Sequence, residues 1–238
     1  MRSGTLMKKY KHVFFDLDHT LWDFEKNSTE SIADLYKAEE LHKLGIDDVD
    51  YFTGRYHFHN SIYWEKYQRG EINRDTLRYI RFHSTLQEYA IDDAKKAREL
   101  AEKYLAILPT KRNLFSDTIE ILDYLYPKYS LHILSNGFEE TQHKKLRNAG
   151  IENYFRYIIT SEKSGYQKPE RGIFDYALQL TNAAKDECIF VGDDAYADML
   201  GAQNAGWDHV FYNPEKKNHF QKFTFEIHSL SELKKLLQ

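Results

Sequence analysis

Two aspartates, Asp16 and Asp18, stand two positions apart at the end of the apolar run HVFFDLD. In an extended strand alternate side chains project to the same side, so we expect the two carboxylates to converge. Neighbouring carboxylates repel each other unless a proton or a cation lies between them, and an oxygen-only site of this kind favours a metal such as Mg²⁺. Because a lone D-x-D is also an ordinary polar end of a strand, this interpretation depends on other segments.

Three other segments supply side chains for the same chemistry. The run HILSNG ends with Ser135, whose hydroxyl and the N–H groups that follow it could hold a phosphate oxygen, although Ser-Asn-Gly is also an ordinary turn. Lys168 precedes a proline that we expect to begin a helix, a position suited to a fixed cation beside an anion. IFVGDDAYAD ends a further strand with Asp193 and Asp194 and carries Asp198 on the following helix, although acidic residues there can be mere dipole partners. Together the four segments predict one site.

The segments that carry these residues are short apolar runs bounded by polar or turn residues. Five such runs lack the polar alternation of half-exposed strands and are predicted to be buried parallel strands: HVFFDL, SLHILSNG, RYIITS, CIFVGDD and HVFYN. Helical patterns separate the later runs, at residues 139–149, 170–180 and 195–205. The alternation predicts an α/β fold with a doubly wound, Rossmann-like parallel sheet, whose ligands bind beyond the carboxyl ends of the strands.

The stretch from about Phe24 to Leu108 has a different pattern, because its apolar residues recur at helical spacing and it contains no convincing strand. We interpret it as an all-helical insertion between the first strand and the rest of the sheet. The predicted domains are an α/β core of residues 1–22 and 110–238 and a helical domain of residues 23–109.

The composition is that of a folded protein with an ordinary surface charge. The 238 residues carry a formal net charge of −4, which argues against binding to a nucleic acid polymer, and scattered lysine pairs such as Lys144 and Lys145 fit solvated helix faces. No run approaches the roughly 18 apolar residues of a membrane span, and residues 1–12 lack the apolar region of a signal peptide, so we expect a cytoplasmic protein without a membrane partner. Cys188 is the only cysteine and is predicted to pack in a strand rather than to react.

In this order, DLDHT, LSNG, the Lys168-Pro169 pair of QKPE and GDDAYAD resemble the four motifs of the haloacid dehalogenase superfamily. The resemblance covers about residues 11–22 and 110–213, and the helical insertion then resembles the cap domain of that superfamily. It implies that Asp16 attacks phosphorus to form an aspartyl-phosphate and that Asp18 protonates the leaving oxygen and later activates water. His19 departs from the pattern, since this position is commonly glycine in the superfamily.

The same resemblance assigns a metal site and a phosphate site. Mg²⁺ would be held by three groups, namely Asp16, the backbone carbonyl of Asp18, and Asp193. Asp194 or Asp198 would support these ligands. Four residues would fix the phosphoryl oxygens: Thr20, Ser135, Asn136 and Lys168.

These roles favour a Mg²⁺-dependent phosphomonoesterase that acts on a small phosphorylated metabolite. A dehalogenase needs the nucleophile but not the second carboxylate, and a regulator that is merely phosphorylated on Asp16 gives no reason for Asp18. A phosphatase or phosphomutase of small sugar phosphates stays open as an alternative, because such enzymes would also use both aspartates.

The segment YWEKYQRGEINRDTLRYIRF resembles the cap of the pyrimidine 5′-nucleotidase branch of the superfamily. That resemblance implies a nucleoside 5′-monophosphate as substrate, with Trp64 and Arg81 as residues that contact it, because an aromatic or guanidinium plane can stack on a base. The alternative is that Tyr63, Trp64 and Tyr67 simply fill the core of the helical domain.

Overall fold

The computed structural model describes residues 10–238, so the first nine residues of the predicted core lie outside the described part of the chain. The chain divides into two compact units. The first, which we call the sheet unit, comprises the described residues up to Asp23 together with Asn113–Gln238. The second, the helical unit, is Phe24–Arg112.

The sheet unit carries the strands. In chain order those described are β1 (His12–Phe15), β2 (Ser130–Ser135), β3 (Phe155–Thr160), β4 (Cys188–Gly192), β5 (Asp208–Tyr212) and β6 (Phe225–Ile227). They form one parallel sheet in the order β3-β2-β1-β4-β5-β6, so the predicted strands and the predicted doubly wound sheet are confirmed. β6 was not predicted, because this edge strand has three residues and only the last of them is buried.

Burial on both faces explains why the central strands are continuously apolar. β1 lies between β2 and β4, and Phe15 pairs with Ile133 on one side and with Val191 on the other. Val13, Phe14 and Phe15 have no solvent-exposed surface. Because parallel strands in register end at the same edge of a sheet, the residues that follow β1, β2 and β4 begin side by side.

The helical unit consists of four α-helices and short connections: α1 (Phe24–Ala38), α2 (Val49–Gln68), α3 (Arg74–Gln87) and α4 (Ala94–Ile107). Three of them begin at side-chain caps, because Asp48, Asn73 and Asp93 accept hydrogen bonds from N–H groups of the first turn. Residues 24–112 are all described and contain no strand, which confirms the prediction made for residues 24–108. The assignment of this unit as a substrate-covering cap stays a prediction.

Further α-helices lie in the sheet unit: α5 (Thr118–Leu125), α6 (Glu139–Asn148), α7 (Ser161–Ser164), α8 (Arg171–Thr181), α9 (Gly201–Ala205) and α10 (Leu233–Leu236). The predicted helix at 195–205 is present, but its first part, Ala195–Leu200, is a π-helical turn. The prediction that Pro169 begins a helix is wrong, because a hydrogen bond from the N–H of Glu170 to the carbonyl of Gln167 closes a turn around Pro169, and α8 begins only at Arg171. Among residues 10–238, no helix is long and apolar enough to cross a membrane.

An aromatic cluster packs against the central strands. The ring of Phe14 lies 4.7 Å from that of Trp207, and Phe174 contacts both Trp207 and Phe190 edge-on at 5.4 and 5.8 Å. Cys188 is fully buried in the same cluster, and burial raises the pKa of its thiol to about 12. The predicted packing role of Cys188 is therefore confirmed, since a buried, protonated thiol is a poor nucleophile.

Candidate active site

Three carboxylates beyond the ends of β1 and β4 lie close enough to share one cation. Asp16 directly follows β1, Asp193 directly follows β4, and Asp198 lies in the π-helical turn behind Asp193. Each offers one oxygen, and the three oxygens lie within 4.8 Å of one another. Asp16 and Asp198 are buried, so this group, which we call the acidic cluster, is largely removed from water.

Lys168 is a fixed cation of the acidic cluster. Its Nζ donates to Oδ1 of Asp16 at 2.5 Å and to Oδ1 of Asp198 at 2.6 Å. The side chain of Asn136 holds the backbone of this lysine on both sides, because Nδ2 donates to the Lys168 carbonyl at 2.9 Å and Oδ1 accepts from the Lys168 N–H at 2.8 Å. Asn136, which the sequence assigned to phosphate, is thus seen to position Lys168, and its contact with phosphate stays a prediction.

The end of β4 leaves room for Asp198. A Cβ on Gly192 would lie 2.2 Å from Oδ2 of Asp198, so a larger residue at this position would displace the carboxylate. The same oxygen accepts a hydrogen bond from the N–H of Asp194 at 3.1 Å. The carboxylate of Asp194 instead caps the π-helical turn, because it accepts from the N–H groups of Tyr196 and Ala197 at 2.8 and 2.9 Å.

Burial and mutual repulsion disfavour the ionised form of the acidic cluster. Burial raises the pKa of Asp16 to about 7 and that of Asp198 to about 7, although Lys168 acts on both in the opposite direction. The pKa of Asp193 lies well above its ordinary value, first because of burial and then because of its carboxylate neighbours. Burial by itself would lower the pKa of Lys168, but the carboxylates of Asp16 and Asp198 raise it by more. The pKa of Lys168 therefore lies above its ordinary value. One ammonium group therefore accompanies three carboxyl groups, which is too little positive charge to keep all three ionised.

This donor set fits a hard divalent cation. The three candidate ligands are all carboxylates, and oxygen donors suit Mg²⁺ better than a metal that prefers sulfur or imidazole. Thr20 orients one of them, because its hydroxyl donates to Oδ1 of Asp193 at 3.1 Å. The ligand role of the Asp18 carbonyl, and the phosphate contact of Thr20, stay predictions.

Asp18 has partners of its own outside the acidic cluster. Nζ of Lys145 donates to Oδ1 of Asp18 at 2.6 Å, and Nε2 of Gln142 donates to Oδ2 at 2.9 Å. Burial by itself would raise the pKa of Asp18, but Lys145 and the two hydrogen bonds hold this pKa below its ordinary value. The charge of Asp18 contributes to the raised pKa of Asp16, so the two carboxylates interact, as expected. The expectation that both lie on the strand is wrong, because β1 ends at Phe15, and each carboxylate has its own lysine partner.

Gln142 and Lys145 were not predicted as site residues. Both lie on α6, three positions apart and therefore on one face of the helix, and both are buried. The interpretation of the 144–145 lysine pair as a solvated face is wrong for Lys145, because only Lys144 is exposed. One feature of the sequence could have identified them. Gln142 and Lys145 lie one turn apart on the helix that follows LSNG, at positions of an inward helix face that would ordinarily be apolar.

Ser135, the last residue of β2, has a hydroxyl that is poised to donate. Its Oγ accepts from Nε2 of Gln142 at 2.7 Å and from the N–H of Gly137 at 3.1 Å. Because the oxygen already accepts two hydrogen bonds, its own proton is left for a further acceptor, such as a phosphoryl oxygen. Gly137 makes room for this arrangement, since a Cβ there would lie 2.3 Å from Nε2 of Gln142.

The two predicted substrate contacts, Trp64 and Arg81, lie in the helical unit. Arg81 is buried, and its Nη1 donates to Oδ1 of Asn60 at 2.7 Å, while Nε and Nη2 have no hydrogen-bond partner among the described residues. Trp64 is partly exposed and packs edge-on against Tyr67 at 5.5 Å. The burial of Arg81 disfavours the stacking on a base that the sequence suggested and favours hydrogen bonding from its remaining N–H groups.

The structure thus brings one group of predicted residues together within the sheet unit. Hydrogen bonds, ion pairs or the shared acidic cluster connect most of its members: Asp16, Asp18, Thr20, Ser135, Asn136, Lys168, Asp193, Asp194 and Asp198. Trp64 and Arg81 belong to the helical unit.

Comparison with known proteins identifies the family. The HAD-hydrolase YfnB of Bacillus subtilis is 29% identical over 234 residues, which cover 97% of each chain. A crystal structure of YfnB bound to magnesium matches with a TM-score of 0.87 at 28% identity and covers 96% of this chain and 99% of that one.

Two further relatives carry the name of an activity. The pyrimidine 5′-nucleotidase PynA of Streptococcus pneumoniae is 29% identical over 228 residues, covering 94% of this chain and 93% of its own. The pyrimidine 5′-nucleotidase YjjG of Escherichia coli is 28% identical over 236 residues, covering 96% and 98%. The sequence profile of the haloacid dehalogenase-like hydrolases matches residues 10–206. Since this match spans most of the chain, the protein belongs to the haloacid dehalogenase-like hydrolase family.

Proposed function

We propose that this protein is a Mg²⁺-dependent phosphomonoesterase that forms an aspartyl-phosphate on Asp16. The observation that carries the proposal is the different surroundings of two neighbouring carboxylates. Asp16 lies in the acidic cluster beside Lys168, whereas Asp18 lies outside that cluster with Lys145 as its cation. Two carboxylates with separate partners can take separate roles. Mg²⁺ in the acidic cluster would favour the ionised, nucleophilic form of Asp16, and the negative charge of a bound phosphoryl group would favour the protonated form of Asp18. A dehalogenase would have no use for the second carboxylate.

Each half-reaction uses both aspartates. In the first, a carboxylate oxygen of Asp16 attacks phosphorus, the bond from phosphorus to the ester oxygen breaks, and Asp18 gives that oxygen a proton. In the second, Asp18 takes a proton from water, the water oxygen attacks phosphorus, and the bond to Asp16 breaks to release inorganic phosphate. The hydroxyl proton of Ser135 and the ammonium group of Lys168 would orient the phosphoryl oxygens during both steps.

The acidic cluster would hold the metal ion. Asp16, Asp193 and Asp198 supply its carboxylate ligands, the carbonyl of Asp18 is the further ligand implied by the family resemblance, and Asp194 supports the turn that carries Asp198. When bound, Mg²⁺ supplies positive charge that favours the ionised form of the cluster and offsets the charge of the phosphoryl group. Lys168 keeps Asp16 and Asp198 oriented through the hydrogen bonds described above.

A nucleoside 5′-monophosphate is the substrate that we propose. The names of PynA and YjjG support this choice, as does the buried guanidinium of Arg81. Its Nε and Nη2 have no hydrogen-bond partner among the described residues, and a polar ligand would supply acceptors for them. In this proposal the helical unit acts as the cap, and Trp64 and Arg81 contact the nucleoside. A small sugar phosphate is the alternative substrate class.

A phosphate-release assay tests the proposal. The purified protein is incubated with UMP, dTMP, glucose 6-phosphate and p-nitrophenyl phosphate, each with Mg²⁺ and with a chelator, and Asp16→Asn is compared with Asp186→Asn at an exposed site. We expect Mg²⁺-dependent release that is fastest from the two nucleotides, lost in Asp16→Asn and retained in Asp186→Asn. Release by Asp16→Asn at the unmodified rate would contradict the covalent mechanism, and a preference for the sugar phosphate would overturn the nucleotide assignment alone.

A further inference from the structure

Both carboxylate oxygens of Asp18 are occupied by donors from α6. Lys145 donates to Oδ1 at 2.6 Å and Gln142 donates to Oδ2 at 2.9 Å. A general acid must present one oxygen to the leaving group at hydrogen-bond distance. With two donors in place, an ester oxygen reaches the Asp18 carboxylate only if one donor gives way.

Lys145 is the stronger of the two holders. Its side chain is 4% exposed, and its ammonium group lies 4.5 Å from the centre of the Trp22 ring while it donates to Asp18. A charge-assisted hydrogen bond is about twice as strong as a neutral one, and a buried ammonium that loses its carboxylate is strongly destabilised. Lys145 is therefore expected to stay on Asp18 throughout the reaction.

Gln142 is the weaker holder and also touches the phosphate side of the site. Both N–H groups of its amide are used, one on Asp18 and one on Oγ of Ser135 at 2.7 Å. Its Oε1 is buried and has no hydrogen-bond partner among the described residues. An unpaired buried carbonyl is unfavourable, so the amide gains when a ligand or a water supplies a donor to it.

We propose that Gln142 and Lys145 are positioning residues for Asp18: Lys145 anchors Oδ1 throughout, and Gln142 yields Oδ2 to the leaving-group oxygen and later to the attacking water. This inference rests on the proposed phosphatase function. Because Gln142 donates to both Ser135 and Asp18, one side chain connects the phosphate side of the site with the carboxylate that it covers.

The competing explanation is that the pair is only structural, with Asp18 serving to neutralise a buried lysine. The two explanations differ in which step suffers when Lys145 is removed. An aryl leaving group such as p-nitrophenolate departs without a proton, so a displaced Asp18 would spare its release but still slow hydrolysis of the aspartyl-phosphate. A merely structural defect would lower the amount of active enzyme and slow both steps alike.

Rapid mixing of the Mg²⁺-loaded enzyme with p-nitrophenyl phosphate separates these outcomes. For Lys145→Met we expect a burst of p-nitrophenolate close to one equivalent of enzyme, followed by a steady rate that is about 10²-fold below that of the unmodified protein. With UMP, whose alkyl leaving group needs a proton, the same variant should show a comparable loss, with KM changed less than about threefold because the phosphate contacts remain. Lys145→Arg should recover part of the steady rate, and Gln142→Ala should show a smaller loss of about tenfold.

Lys144→Met is the matched control, since this neighbour is exposed and pairs with Glu140 one turn away. It should keep the unmodified rates with both esters. A steady rate of Lys145→Met within about threefold of the unmodified protein, or equal losses in Lys144→Met, would overturn the positioning role. If Lys145→Met fails to fold, Gln142→Ala provides the test, because its substitution removes no charge. An unchanged steady rate in Gln142→Ala would also overturn the positioning role. Absence of turnover by the unmodified protein with both esters would instead overturn the phosphatase proposal itself.

Discussion

The ammonium nitrogen of Lys168 lies 2.5 Å from a carboxylate oxygen of Asp16, although the two residues are 152 positions apart in the chain. Asp16 follows β1, and Lys168 follows β3 after the short helix α7. β2 separates the two strands in the sheet, and Asn136, just beyond β2, holds the backbone of Lys168. The ion pair therefore depends on three parallel strands that end at one edge of the sheet.

Replacement of Lys168 by Met should destabilise the metal-free protein. Asp16 and Asp198 would lose the cation that both contact while they stay buried, and removal of one partner from a buried ion pair typically costs about 3–5 kcal/mol. Urea unfolding at pH 7 in the presence of a chelator measures this loss, and Lys185→Met at an exposed position provides the comparison. An unchanged unfolding midpoint would show that the contact contributes little.

Mg²⁺ should stabilise the protein against heat through the acidic cluster. A ligand that binds only the folded state at 100 times its Kd adds about 2.7 kcal/mol, and the three closely spaced carboxylates gain most from a divalent ion. Thermal unfolding with and without Mg²⁺ should show a rise in Tm that Asp198→Asn reduces and that the exposed Asp186→Asn retains. An equal Mg²⁺ response in both variants would place the ion elsewhere.

Arg81→Ala and Trp64→Ala should impair nucleotide hydrolysis more than hydrolysis of p-nitrophenyl phosphate. Both esters use Asp16 and Asp18, so a difference between them reports on the nucleoside. We expect kcat/KM for UMP to fall at least about tenfold further than kcat/KM for the aryl ester, which corresponds to about 1.4 kcal/mol of lost binding to the transition state. Lys66→Ala, at an exposed position of α2, is the control. Equal losses for both esters would remove the argument for nucleoside recognition by these residues.

Acid should destabilise the fold through His132. This buried ring is stacked 4.5 Å from Phe14 and 5.6 Å from Tyr157, and burial lowers its pKa to about 3. Below the ordinary histidine pKa of 6.5 the unfolded chain binds a proton that the folded chain excludes, so stability is full above about pH 6.5 and falls as the pH drops toward 3. His132→Phe should reduce the loss of unfolding free energy between pH 7 and pH 4.5 by about 2 kcal/mol, whereas the exposed His42→Phe should not. Urea titrations at the two pH values measure the free energy of unfolding. An equal loss between pH 7 and pH 4.5 in His132→Phe and the unmodified protein would contradict the prediction.

His19→Gly should stabilise the protein slightly. His19 has a φ of +64°, in the left-handed region that costs a residue with a Cβ about 1–2 kcal/mol and that glycine enters freely. Glycine loses more chain entropy on folding, about 0.5–1 kcal/mol, so we expect a net gain of about 0.5 kcal/mol. Thermal unfolding measures the gain, and His19→Ala should lower Tm. A lower Tm in His19→Gly would show that side-chain contacts of His19 outweigh the backbone strain.

The sequence by itself determined the α/β sheet, the helical nature of residues 24–108 and the four segments that meet at the site. These are local properties, because a continuous apolar run predicts a buried strand and a polar residue directly after it predicts the edge where the strand ends. Asp16, Ser135 and Asp193 could all be found in this way. The superfamily commonly has glycine where this chain has His19, and the positive φ of this residue in the loop after β1 gives a local reason for that preference.

Only the tertiary structure decided which side chains serve each aspartate. Lys145 looks like any surface lysine in the sequence, and it becomes the partner of Asp18 because α6 packs with this face toward a residue 127 positions away. Gln142 is buried beside Ser135 and Asp18 for the same reason, and Asp198 joins the acidic cluster because Gly192 leaves space for its carboxylate. Such contacts depend on how a helix and a strand end pack together, and packing between distant segments is not encoded in the periodicity of either one.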